Sequence, residues 1–178
     1  MVVLNLNARF QPMHRFELED ALDKIMEQLD LGEVCGGGTL LEPNKEVKSC
    51  DIEIDCSDDK ETLDKLVDII GTVGVPKGSR LLLSENREIP VGRLEGLALY
   101  LNGTELPAEV YQNNDINQVI DKAEELLSEL GGLYSWWEGP EETALYFYGD
   151  SYEKMLAALT PLIEEEPLCQ KSRVVKIA

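Results

Sequence analysis

The chain is poor in the residues from which proteins build metal and nucleophile sites. It has one histidine, His14, and four cysteines with no Cys-x-x-Cys pair. A structural zinc site usually takes its ligands from closely spaced pairs, so no zinc motif is present. We expect no metal and expect the cysteines to remain reduced and buried. They are Cys35, Cys50, Cys56 and Cys169.

Long apolar runs are missing as well. A membrane-spanning helix needs roughly 20 apolar residues, and no run in the sequence approaches that length. The first residues, MVVLNLNARF, lack the basic start and the small-residue cleavage site of a secretory signal. We therefore expect a cytoplasmic protein that does not bind membranes.

Basic side chains are also scarce: 35 acidic residues against 16 basic ones give a formal net charge of −19. The excess is spread over both halves of the chain, so no acidic tail has been added to a neutral domain. Such a surface repels the phosphates of nucleic acids and attracts basic partners. The alternative is that the charge serves solubility alone.

No catalytic motif stands out. The run Cys35-Gly36-Gly37-Gly38-Thr39 lacks the Gly-Lys-Ser/Thr ending of a phosphate loop and precedes a strand, which favours a flexible entry to that strand. His14, in FQPMHRF, has no neighbouring nucleophile and is interpreted as a surface-loop residue. No carboxylate pair is singled out either, so we expect neither an enzyme nor a cofactor.

What the sequence does contain is a repeated pattern of strands and helices. The first half predicts a strand in VVLNLNARF, a helix that ends near Leu31-Gly32, a strand after the glycine run and a strand in SCDIEIDCS. A second helix begins at a capping box, Asp58-x-x-Glu61, ends at Pro76 and Gly78, and leads into the strand KGSRLLL.

The second half repeats this order with one variation. Two extended runs flank Asn102-Gly103, which predicts an extra hairpin. A helix capped by Asp115 ends at Gly131-Gly132, where we expect a left-handed residue. The strands LYSWWE and TALYFYG, a helix from Asp150 or Ser151 that Pro161 kinks or shortens, and the strand QKSRVVKI complete the pattern.

Residue matches support an internal duplication. Ser79-Arg80 and Ser172-Arg173 lie 93 positions apart, and so do five pairs of apolar residues, such as Ile52 and Leu145. The unit strand-helix-strand-strand-helix-strand is the ferredoxin-like, or split βαβ, plan. We therefore predict an α+β fold with two such units, residues 1–87 and 93–178, joined by a short polar segment. A single α+β domain is the alternative.

Three carboxylates lie on one face of a predicted strand, where Asp51, Glu53 and Asp55 alternate with apolar residues. Calcium and magnesium favour such oxygen ligands. Alternate side chains on a strand, however, stand about 7 Å apart, too far for all three to share one ion unaided. We therefore favour a solvated sheet face.

In the second repeat the same alternation places Tyr146 and Tyr148 where the first has carboxylates, with Trp136 and Trp137 on the paired strand. Helices cover one side of a ferredoxin-like sheet, so an aromatic open side is an apolar patch that can mark a contact surface. Two interpretations stay open: these four side chains pack against the other repeat, or they receive a partner, which nearby carboxylates predict to be basic.

The CGGGT segment, the CDIEIDC strand and the PKGSRL strand together resemble small acidic bacterial proteins of ferredoxin-like plan. The size, the charge and the lack of a catalytic motif are similar to those of immunity proteins that neutralise toxins in interbacterial competition. This resemblance implies an inhibitor that occupies a toxin's active site or substrate surface through acidic and aromatic contacts, and it assigns no particular residues. The two sheet faces described above supply the candidates for binding a basic toxin or nuclease, namely Asp51, Glu53, Asp55, Trp136, Trp137, Tyr146 and Tyr148. The alternatives are a regulatory protein with a small ligand between the repeats and, third, a metal-dependent enzyme.

Overall fold

The computed structural model describes residues 1–178, which form two compact units. The first unit is Met1–Leu94 together with Ala178, and the second is Glu95–Ile177. No helix in either unit has the length and apolar character needed to cross a membrane.

The first unit has five strands and two α-helices. In chain order they are β1 (Val2–Leu6), α1 (Pro12–Gln28), β2 (Glu33–Leu41), β3 (Val47–Asp55), α2 (Lys60–Val73), β4 (Ser79–Leu82) and β5 (Glu88–Val91). All neighbouring strands are antiparallel, in the order β2-β3-β1-β4-β5. The first four strands have the ferredoxin-like arrangement, as the sequence predicted.

The first unit is longer than predicted because it has a fifth strand. The sequence predicts a connection between residues 87 and 93, but Glu88–Val91 form β5, which pairs with β4 from Ser79↔Val91 to Leu82↔Glu88. Short strands of four residues carry little periodicity, and Pro90 argues against a central strand. Pro90 is compatible with β5 because β5 is an edge strand. The first unit therefore extends to Leu94 and not to residue 87.

Helix α2 begins where one of its first backbone N–H groups finds a side-chain acceptor. The side chain of Asp59 accepts from Thr62 N at 3.1 Å, so Asp59 caps α2, one residue after the predicted Asp58. Hydrogen bonds from Ser57 and Thr62 lower the pKa of Asp59 to about 2. The helix ends at Gly74, whose φ of +81° favours glycine.

The second unit has four strands and three helices. In chain order they are β6 (Glu95–Asn102), α3 (Ala108–Asn113), α4 (Ile116–Leu127), β7 (Gly131–Glu138), β8 (Glu142–Gly149), α5 (Tyr152–Glu165) and β9 (Arg173–Lys176). Its antiparallel sheet has the order β7-β8-β6-β9. This is again the ferredoxin-like arrangement, so the chain is a tandem of two such units.

The extra hairpin predicted around Asn102-Gly103 is absent. Asn102 ends β6, and its Oδ1 accepts from Thr104 N at 3.0 Å and from Glu105 N at 2.7 Å. In the following run, ELPAEVY, Pro107 lacks the N–H that a strand would use, and the short helix α3 begins directly after it at Ala108. The side chain of Asn102 thus makes a local turn in place of a hairpin.

Leucine, valine and aromatic residues fill the core between α4, α5 and the sheet of the second unit. Its fully buried members include Leu99, Ala123, Phe147 and Leu159. The Asp115 cap of α4 is confirmed, since its side chain accepts from Asn117 N.

Two details in the second unit differ from the prediction. Pro161 does not end α5 early, since it lies within the helix, which continues to Glu165. Gly131 and Gly132 begin β7 and do not adopt positive φ. Gly131 is required for a different reason, since a Cβ there would lie against Tyr148 O.

Candidate functional site

The carboxylates of Asp51, Glu53 and Asp55, here called the acidic face, lie on the side of the first sheet that faces away from its buried core. Their neighbours on β3, Cys50, Ile52 and Ile54, are buried, which confirms the predicted alternation. Glu53 and Asp55 are exposed and Asp51 is half-buried. The strand thus presents a row of negative charge to solvent.

Two glycines on the neighbouring strand leave the acidic face uncovered. Gly36 lies opposite Glu53 and Gly38 lies opposite Asp51 in the β2–β3 pairing. Because glycine has no side chain, the backbone of another molecule could approach these carboxylates closely. Glu33 of β2, which pairs with Asp55 of β3, adds a further exposed carboxylate.

On the other side of the acidic face, β1 and β4 supply one polar contact and one cation. Asn5 Nδ2 donates to Asp51 Oδ1 at 2.7 Å and fixes that carboxylate. Arg80, opposite Asn5, forms an exposed ion pair with Glu88 of β5 at 3.1 Å. The only cation among these paired positions therefore already has an anionic partner.

Under α1, a buried polar cluster holds the strand with the glycines in place. Arg15 Nε donates to Glu19 Oε1 at 2.6 Å, and Arg15 Nη1 donates to Thr39 Oγ1 at 2.6 Å. Arg15 is buried, so the pair with Glu19 compensates its charge. A Cβ at Gly37 would lie 2.5 Å from Glu19 Oε1, which explains a glycine there.

The structure contains no group of three His, Cys, Asp or Glu side chains placed to hold a metal ion. All four cysteines are free thiols, as expected, but the prediction that all are buried is wrong. Cys35 is exposed because it is the extra residue of a bulge in β2. Burial raises the pKa of Cys50 and of Cys169 to about 11, which makes both weak nucleophiles at neutral pH.

His14 lies in the first turn of α1 and not in a loop. No side chain caps this end of the helix, and Pro12 at its first position is the sequence signal that could have located the helix start. Partial burial lowers the pKa of His14.

In the second unit, the side of the sheet that faces away from α4 and α5 is aromatic and buried. Tyr146 is 0% exposed, Tyr148 1% and Trp137 7%. The rings of Tyr100 and Tyr146 meet edge to face at 6.4 Å, and those of Tyr134 and Tyr148 at 5.5 Å. We call this set of five side chains the aromatic face; four of them are buried and Tyr134, at its edge, is 41% exposed. Buried as they are, Tyr146 and Tyr148 offer a partner no accessible surface in this structure.

Trp136 does not belong to the aromatic face, which corrects its predicted position. It pairs with Leu145, whereas Trp137 pairs with Ala144. Adjacent residues of a strand point to opposite sides, so the two tryptophans cannot share a face. Trp136 lies on the helix side and is 42% exposed.

Arg173 lies against the aromatic face and was not among the predicted site residues. Its guanidinium carbon lies 3.5 Å from the centre of the Tyr100 ring, and the group makes two bonds to Glu142, at 2.9 and 2.7 Å. These bonds lower the pKa of Glu142. The match of Arg173 with Arg80 in the repeat was visible, but only the fold shows that the two have different partners.

Comparison with known proteins adds no family. No family model matches the chain, and no curated protein does. Among solved structures, a candidate monooxygenase from Fusobacterium nucleatum is 8% identical, with 98% of this chain and 89% of that chain covered and a TM-score of 0.35. Another candidate monooxygenase, from Lactobacillus acidophilus, is 11% identical, with 99% of this chain and 93% of that chain covered and a TM-score of 0.32. The first two RRM domains of yeast poly(U)-binding protein are 8% identical, with 100% of this chain and 99% of that chain covered and a TM-score of 0.27.

Proposed function

We propose that the protein is a non-enzymatic binding module whose acidic face receives a basic protein, in the manner of an immunity-type inhibitor of a toxin or nuclease. The observation that carries this proposal is the uncovered row of Asp51, Glu53 and Asp55 on an open sheet side. A cytoplasmic location belongs to the same proposal.

Charge complementarity selects the partner. The acidic face lies in a chain of net charge −19, so its field repels phosphate backbones and attracts lysine- and arginine-rich surfaces. Such a field acts mainly on the association rate, which it can raise by roughly 10- to 1,000-fold at low salt. An inhibitor that has to capture a toxin quickly gains from this property.

The flat shape of the site suits a protein surface better than a small ligand. Small-molecule sites are concave and mostly apolar, whereas the acidic face is a strand flanked by Gly36 and Gly38. The predicted aromatic contact is not part of this proposal, because Tyr146, Tyr148 and Trp137 are buried.

The experiment compares two triple variants with the same change in charge. In the first, Asp51→Asn, Glu53→Gln and Asp55→Asn neutralise the acidic face, and Asn at position 51 keeps an oxygen that can accept from Asn5. In the second, three exposed carboxylates of the other unit are neutralised: Glu124→Gln, Glu125→Gln and Glu129→Gln.

Each tagged protein is purified from its own host at low salt and then eluted with salt. We expect the wild type and the second variant to release one basic protein in comparable amount, and the first variant to release none. Kinetics with that purified protein should then show an association rate that falls as salt rises. Equal recovery of the basic protein with both variants would contradict the proposal. Elution of the wild type with no bound protein would contradict it too.

A further inference from the structure

The second unit contains a cavity of about 530 Å³ between α4 and the helix side of β7 and β8. All its lining residues belong to this unit, and they are Ile116, Asn117, Ile120, Leu133, Trp136, Glu138, Thr143 and Leu145. Its size lies within the range of small-molecule sites, about 300–1,000 Å³. The cavity is remote in sequence from the acidic face and plays no part in the proposed function.

The walls of this cavity are apolar and aromatic. Ile116 and Ile120 come from one side of α4, one turn apart, and Leu133 and Leu145 come from the sheet. The indole of Trp136 completes the lining and is 42% exposed. An apolar body of the size of one aromatic ring could therefore be buried here against five apolar side chains.

The charged group of the cavity is a carboxylate. Glu138 lies two residues after Trp136 on β7, so both point to the same side of the sheet. Glu138 is exposed. The lining contains no lysine, arginine or histidine.

A neighbouring cavity of about 370 Å³ shares Ile116 and Thr143 with the first and likewise has no basic residue in its lining. Its carboxylate, Asp115, already accepts from Asn117 N as the cap of α4. Glu138 is therefore the carboxylate that a ligand could use.

We propose that this cavity binds a small organic cation with an apolar body, whose positive group lies between the Glu138 carboxylate and the Trp136 ring. A cation gains from both groups, since tryptophan attracts cations to its face and the carboxylate supplies the opposite charge. An anion of the same shape is repelled by the Glu138 carboxylate.

The test uses two probes that differ only in their charged end, 2-phenylethylamine and 3-phenylpropionate, at physiological salt. Two-dimensional NMR of the whole chain reports where each probe binds. We expect the amine to bind saturably at about millimolar Kd, as fits a fragment of this size. The shifts should centre on Ile116, Ile120 and Glu138, and binding of the propionate should be about tenfold weaker.

Two variants distinguish binding in the cavity from attraction of the amine by the general negative charge of the chain. Glu138→Gln should remove the preference for the amine, whereas Glu125→Gln, an exposed carboxylate on α4, should leave it unchanged. The proposal is overturned if the amine shows no saturable binding, if its shifts spread over other acidic surfaces, or if Glu138→Gln keeps the tenfold preference. Both substituted side chains are exposed, so neither variant should unfold.

Discussion

The two units share one plan and both bury apolar residues on the helix side of the sheet, but they differ on the other side. The first unit adds a buried polar cluster, Arg15 with Glu19, under α1 and exposes carboxylates on the side away from its helices. The second unit buries aromatic rings on that side. The backbone plan therefore tolerates either chemistry on the side away from the helices, and each unit has its own candidate surface.

The largest expected difference is between two positions that match in the repeat, Glu53 and Tyr146. Tyr146→Ala should lower the free energy of unfolding by about 3–5 kcal/mol, because a fully buried ring is removed. Glu53→Ala should change it by less than about 0.5 kcal/mol, because that side chain is exposed. Urea unfolding followed by circular dichroism measures both, and equal effects would contradict the contrast between the faces.

The polar cluster under α1 is tested at two glycines in β2. Gly37→Ala should cost about 1–3 kcal/mol in unfolding free energy, since its Cβ would press on Glu19 and on the carbonyl of Asp51. Gly38→Ala is the control, because no atom lies within 4 Å of a Cβ there, and its stability should stay equal or rise slightly. A cost at position 38 as large as at 37 would show that the cluster does not set the requirement.

The repeat also supplies a pair of arginines with different partners. Arg173→Met should cost about 1–2 kcal/mol, because it removes a two-bond contact to Glu142 and the stacking on Tyr100. Arg80→Met should cost less than about 0.5 kcal/mol, since it removes one exposed ion pair. If the two variants have the same midpoint of thermal unfolding, the stacking of Arg173 on Tyr100 adds no stability.

The smallest expected effect concerns pH. Arg173 lowers the pKa of Glu142 below its usual 4.5, so this carboxylate binds protons less readily in the folded state than in the unfolded state. Its contribution to stability is therefore present above pH 4.5 and is lost as pH falls through the lowered folded pKa. The stability difference between wild type and Glu142→Gln should shrink between pH 7 and pH 3 at low salt. A difference that stays constant over this range would contradict the assignment.

The order of strands and helices could be predicted because alternation and helical spacing are local signals. The alternation around Ile52 placed the acidic face correctly, and Asp115 was found as a helix cap. The failures have a physical basis too. The edge strand β5 has four residues, which is too short for a recognisable alternation of side chains. Asn102-Gly103 is compatible with a hairpin and with a side-chain turn, and Pro107 favours the turn because it cannot donate to a strand. The burial of Tyr146 depends on the folded surroundings of the sheet, which spacing does not reveal.

The acidic face as the site of partner binding is the central claim, and the paired capture with the two triple variants tests it most directly. We expect the basic protein to be recovered with wild type and with the variant of Glu124, Glu125 and Glu129. It should be lost with the variant of Asp51, Glu53 and Asp55. Undiminished recovery with this last variant would show that the partner binds elsewhere, and the account of the acidic face would be wrong.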